Sequence, residues 1–84
     1  MIWHVYFLKS GDRRWYYVGS TNRLQERLNE HNLGRVTSTK LHRPLKLVYS
    51  VSFVTEKEAR SYERKVKGMR REKERIISII ENIK

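Results

Sequence analysis

The sequence contains no cysteine, so neither a disulfide framework nor a thiolate metal site is available to it. It also lacks any apolar run long enough to span a bilayer, and Met1 leads directly into a strand-like segment rather than a charged region and a signal core. Together these absences predict a cytoplasmic protein in a reducing compartment. Acidic residues are scarce, with nine Asp and Glu against nineteen Lys and Arg, a formal net charge of +10 over 84 residues. Such an excess names a polyanion as the natural partner. Nucleic acid is favoured over an acidic membrane surface, because no strongly amphipathic basic helix exposes Trp or Phe. No repeat, low-complexity tract or linker interrupts the chain. A single domain over residues 1–84 has room for one sheet and a few helices, so any chemistry must sit in a shallow, largely open site.

The most informative stretch is WYYVGSTNRLQERLNEHNL, from Trp15 to Leu33. Its aromatic and β-branched start predicts a strand, and Gly19 permits the turn expected to follow. Asn22 with Gln25 reads as a capping-box-like pair opening a helix whose apolar stripe is Leu24 and Leu28. Arg27 and His31 flank that stripe one turn apart. Taken singly, Arg27 reads as a surface side chain, His31 as structural and Tyr17 as a core aromatic.

Ile2 to Leu8 reads as a strand with Trp3, Val5 and Phe7 on one side and Ile2, Tyr6 and Leu8 on the other, which predicts a sheet covered on both faces. A hairpin joins it to the aromatic strand, but parity alone does not say whether Tyr6 and Tyr17 share a face. Residues 34–43 are polar, basic and aperiodic. This loop, holding Arg35, Lys40, His42 and Arg43, is either a solvated connector or a phosphate-contacting segment. From Leu45 the alternation places Leu45, Leu47, Tyr49, Val51 and Phe53 on one face of an edge strand, with Val48 the exception. Thr55 and Glu58 form a capping box for a helix carrying Ala59, Tyr62, Val66 and Met69 on one side and stopping near Gly68. A last amphipathic segment presents Ile76, Ile79, Ile80 and Ile83, read as core ahead of a dimer seam. Glu63 lies beside the Ala59/Val66 stripe, where it is either the partner of Lys67 or a divalent-metal ligand.

His4-Val5-Tyr6, then Tyr17-Val18-Gly19, Arg27 and His31 on the next helix and Glu63 on the one after resemble, in that order, the GIY-YIG nuclease family. The resemblance covers nearly the whole chain. Gly34, Ser38-Thr39-Lys40, Pro44 to Tyr49 and Glu58 to Lys67 are similar to the small stand-alone bacterial members. It implies a three-stranded antiparallel sheet flanked by helices, and hydrolysis of DNA phosphodiesters with Mg²⁺ or Mn²⁺. Relatives include the incision subunit of bacterial excision repair, homing endonucleases and structure-specific nucleases. Carried over by position, Glu63 matches the metal ligand, Arg27 the arginine near the scissile phosphate, Tyr6 and Tyr17 the paired tyrosines, and His31 a position often histidine. Gly19 closes the second motif.

The residues depart from that pattern in places. His4 stands where the first motif has glycine, Ser20 where several relatives carry lysine, and Arg75 where many larger members have asparagine. The resulting expectation is a metal-dependent endonuclease selecting DNA shape rather than sequence, with Arg23, Arg35, Lys40, His42 and Arg43 contacting DNA. A partner protein is a possible source of targeting, and a monomer is favoured. The alternative is a nucleic-acid-binding module of the same fold with weak or no catalysis. Which tyrosine faces the nucleophilic water is open at this level, as is a proton relay through neutral His31.

Overall fold

The computed structural model describes residues 1–11 and 13–82. Three strands, β1 (Trp3–Ser10), β2 (Tyr16–Thr21) and β3 (Leu45–Phe53), form an antiparallel sheet in the order β2-β1-β3. Helix α1 (Leu24–Asn32) follows β2, while α2 (Glu56–Gly68) and α3 (Arg70–Asn82) follow β3.

The central strand is apolar on both sides because both sides are covered. Val5 and Phe7 pack with Val18, Ala59, Val66, Ile76 and Ile77 in one core, on the face covered by α2 and α3. Tyr6, Leu8 and Leu45 form a second core on the opposite face, against Leu24 and Leu28 of α1.

β3 is the edge strand its alternation predicts, but its residues do not keep one face. Phe7 opposes Tyr49 while Leu8 opposes Leu47, so a bulge at Val48 shifts the register. Val48, Tyr49 and Phe53 pack into the first core, whereas Leu45 belongs to the second. One extra residue reverses the side on which all later residues fall. The Val48 exception in the sequence is that bulge.

Gly19 lies inside β2, opposite Tyr6, rather than at a turn beyond the strand. The Asn22/Gln25 cap is also absent. The N-cap of α1 is Arg23, whose backbone N–H donates to Thr21 Oγ1 at 3.0 Å, while Gln25 bonds Asn29 at 3.2 Å. α1 ends in a Schellman turn: Gly34 at φ +79° donates to His31 O, and Arg35 donates to Glu30 O. Thr55 does cap α2, accepting from Glu58 N at 3.2 Å. The Met69 expected in the apolar stripe of α2 is instead half-exposed beyond its end.

In α3 the buried pair is Ile76 and Ile77, with Ile80 packed beside them. Ile79 is 38% exposed, and Ile83 lies outside the described residues. The run of isoleucines made several wheel settings equally apolar, and packing selects one. Ile76→Asp is therefore expected to unfold the protein and Ile79→Asp to leave it folded. Circular dichroism of the two variants distinguishes them, and unfolding by Ile79→Asp would contradict this orientation of α3.

Candidate active site

Register decides what the sequence left open. Tyr6 pairs with Gly19 and Leu8 with Tyr17, so Tyr6 and Tyr17 are diagonal neighbours on one face, with ring centroids 6.3 Å apart. They meet over Gly19 because nothing else fits there: a Cβ at that position would stand 2.6 Å from Tyr6 Oη and 3.0 Å from Tyr17 Cε2. Gly19 is needed for close approach rather than for a turn.

His31, from the last turn of α1, closes the cluster from above. It is fully buried, with its ring edge-on to both tyrosines at 5.8 and 5.1 Å. Its Nε2 lies 3.0 Å from Tyr6 Oη and its Nδ1 2.8 Å from Oγ1 of buried Thr39. The Thr39 hydroxyl donates onward to Val36 O at 3.4 Å, which leaves it an acceptor toward the ring. In the tautomer with its proton on Nδ1, the ring donates to Thr39 and its Nε2 accepts from the Tyr6 hydroxyl. The loop reads from sequence as an aperiodic connector, yet it supplies this second partner. α1 is fastened by Asn32, whose side chain accepts from Leu45 N at 2.8 Å and donates to Leu45 O at 3.0 Å.

Arg27 lies one turn before His31, paired with Glu30 at 2.9 Å. Burial pushes the Tyr6 hydroxyl up to about 12, with the Arg27 guanidinium opposing the rise. Burial, and then the charge of Arg27, hold His31 below the ordinary histidine value, so the ring is neutral near pH 7. Above the unfolded-state value of about 6.5 both states carry neutral imidazole; below it the unfolded chain takes up the proton first. Stability is therefore expected to fall as pH drops below about 6.5, and the fall to be shallower in His31→Gln. Urea unfolding of both proteins across this range measures it, and parallel curves would contradict the buried neutral ring.

Glu63 reaches the same region from the other side of the sheet. Its α2 packs on the first core, and its carboxylate accepts from Ser20 Oγ at 2.5 Å; Ser20 pairs with Val5, shares the face of Val18 and lies one residue beyond Gly19. The other oxygen lies 2.7 Å from Lys67 Nζ, which itself stands 5.6 Å from the centroid of the Tyr17 ring. The lysine partner expected from i,i+4 spacing is thus present, at the rim of the cluster. The Glu63 side chain is 17% exposed and opens onto a groove of about 440 Å³ lined by Arg60, Glu63, Arg64, Lys67 and Gly68.

Among the described residues no group of three or more His, Cys, Asp or Glu could hold a metal. A lone carboxylate does not suit zinc, which needs three or four protein ligands. It does suit Mg²⁺ or Mn²⁺ completing a shell with water and phosphate oxygens.

Of the five side chains expected to meet DNA, four lie in the 34–43 segment and the fifth, Arg23, caps α1. Arg23 pairs with Glu26 at 2.7 Å, and Arg35 and Lys40 are exposed along the 34–43 segment. His42 stacks on Trp15 with centroids 3.7 Å apart, and Arg43 donates to Lys40 O while its guanidinium covers Gly34. Arg75 is exposed and bonded to Glu72, and half-buried His4 lies 3.3 Å from Ser52 Oγ.

Known proteins match the chain over nearly its whole length. The GIY-YIG catalytic domain pattern fits residues 2–75. The UPF0213 protein YazA of Bacillus subtilis is 38% identical over 72 residues, 84% of this chain and 72% of that protein. A UPF0213 protein of Streptococcus pneumoniae is 35% identical over 77 residues, 89% of this chain and 77% of the relative. The solution NMR structure of the UPF0213 protein BH0048 from Bacillus halodurans superimposes with a TM-score of 0.59 at 32% identity, covering 94% of this chain and 85% of that one. With two tyrosines meeting over the motif glycine, and with the match running from the first strand into the last helix, the chain belongs to the GIY-YIG family.

Proposed function

We propose that this protein is a metal-dependent endonuclease that hydrolyses phosphodiester bonds in DNA. The observation that supports the reading is the packing of Tyr6, Tyr17 and His31 on one face over Gly19, with Arg27 one turn before His31 and Glu63 bonded to Ser20, the residue after Gly19.

Glu63 would hold the divalent ion, with water and a phosphate oxygen as its other ligands, and the ion would supply charge for the phosphoryl group. The protein does the rest. A Tyr6 hydroxyl pushed up to about 12 is no ready-made phenolate. It becomes a base by passing its own proton to His31 Nε2 as it takes one from water, with Thr39 holding the ring in the accepting tautomer. Tyr17, more exposed than Tyr6, orients the incoming phosphate at the rim. Arg27, held by Glu30, offers a guanidinium to charge growing on the phosphate oxygens. The basic surface binds the backbone, and among the described residues no element is shaped for reading bases, so selection falls on DNA shape.

The test is to incubate the protein with labelled duplex, single-stranded, flap and branched DNA plus Mg²⁺ or Mn²⁺. Chelator-sensitive cutting of at least one shape is expected, together with binding that weakens steeply with salt. Salt-sensitive binding without cutting would instead identify a nucleic-acid-binding module.

A further inference from the structure

Both oxygens of Glu63 are already taken by the protein. Ser20 Oγ is 2.5 Å from Oε1, and Lys67 Nζ is 2.7 Å from Oε2. An ordinary i,i+4 pair lies on a solvated face and can be dropped at small cost. This one differs in three ways. The carboxylate is mostly buried, at 17% exposure, while the lysine side chain is 48% exposed and can leave. The ammonium stands 5.6 Å from the centroid of the Tyr17 ring, at the rim of the cluster. Next to it Gly68, the last residue of α2, has nothing within 4 Å of where a Cβ would be, so the lysine has open groove to move into.

A divalent ion bound at Oε2 and an ammonium 2.7 Å from that oxygen exclude each other by contact and repel by charge. We propose that Lys67 is a resident counter-cation that closes Glu63 until nucleic acid arrives. The ion displaces the ammonium from the carboxylate, and a backbone phosphate lying in the groove receives it. Lys67 thereby places a cation beside Tyr17. Metal and nucleic acid then strengthen each other's binding by the same factor, because each relieves the other of the displaced charge. This inference rests on Glu63 as the metal ligand in the proposed nuclease.

Titrating MnCl₂ into the DNA-free protein by calorimetry tests it, with Lys67→Met, Lys67→Gln, Lys67→Arg and Glu63→Ala beside the native chain. Lys67→Met and Lys67→Gln are expected to bind Mn²⁺ about tenfold more tightly than native, Lys67→Arg no more tightly, and Glu63→Ala not at all. Adding a single-stranded phosphorothioate oligonucleotide is expected to raise the Mn²⁺ affinity of the native protein by a larger factor than that of Lys67→Met. Equal or weaker Mn²⁺ binding by the Met and Gln variants, or its absence in them, would overturn the displacement. Glu63-dependent DNA cutting would survive that result, whereas cutting unaffected by Glu63→Ala would remove the nuclease assignment of the site.

Discussion

Replacing Glu63 with glutamine is expected to slow DNA cleavage by about a thousandfold or more while leaving a folded protein. The amide keeps the shape of the carboxylate and can still accept from Ser20, so the β2 edge stays joined to α2. It loses the charge that would hold a divalent ion, and it loses the pair with Lys67. A pair with a half-exposed lysine contributes at most about 1 kcal/mol, well below what holds a domain of this kind together. Single-turnover cleavage and thermal unfolding of the two proteins separate the effects. Glutamine at native rate would mean that the carboxylate serves only to bind Ser20 and Lys67. A protein that no longer folds would assign it to structure.

Gly19→Ala is expected to cost about 1–3 kcal/mol of stability and about a hundredfold in rate, although the residue carries no chemistry. The new methyl would lie 2.6 Å from Tyr6 Oη and 2.7 Å from Tyr6 Cζ. Tyr6 cannot withdraw, since it is 1% exposed and His31 stands on its far side. Either the strand moves or the Tyr6 to His31 hydrogen bond is lost, and both outcomes misplace the proton path. Denaturation midpoints and single-turnover rates measure the two losses. Native stability together with native rate would contradict the close approach of tyrosine to backbone.

The way these residues assemble explains how far the sequence could be read. Strand β1 was legible on both faces because Trp3, Val5 and Phe7 alternate with Tyr6 and Leu8, and period two survives any neighbour. The shared face of Tyr6 and Tyr17 was not, because it depends on a register set by the hairpin turn rather than by either strand. In β3 the pattern was visible and its meaning hidden: alternation through Val48 looks the same with or without a bulge until a partner strand is present.

The site divides in a similar way. Arg27 and His31 could be placed together from helical spacing, and Glu63 from its resemblance to the family. Thr39 sits in a segment whose residues are polar without period, so only the buried ring it bonds makes it matter. Ser20 reads as a missing lysine in sequence, whereas in the fold it holds the carboxylate. Glu30 looks like one more surface acid until it is seen orienting Arg27.

The most direct measurement is the single-turnover cleavage rate of Tyr6→Phe, with Tyr17→Phe beside it, at saturating Mn²⁺ on whichever DNA shape the native protein cuts. The phenylalanine fills the same buried space and removes only the hydroxyl 3.0 Å from His31 Nε2. Tyr6→Phe is expected to lose about 10²–10⁴-fold with DNA affinity unchanged, and Tyr17→Phe to lose less. Tyr6→Phe cutting at the native rate would contradict this, because the buried line from Tyr6 through His31 to Thr39 would then carry no proton.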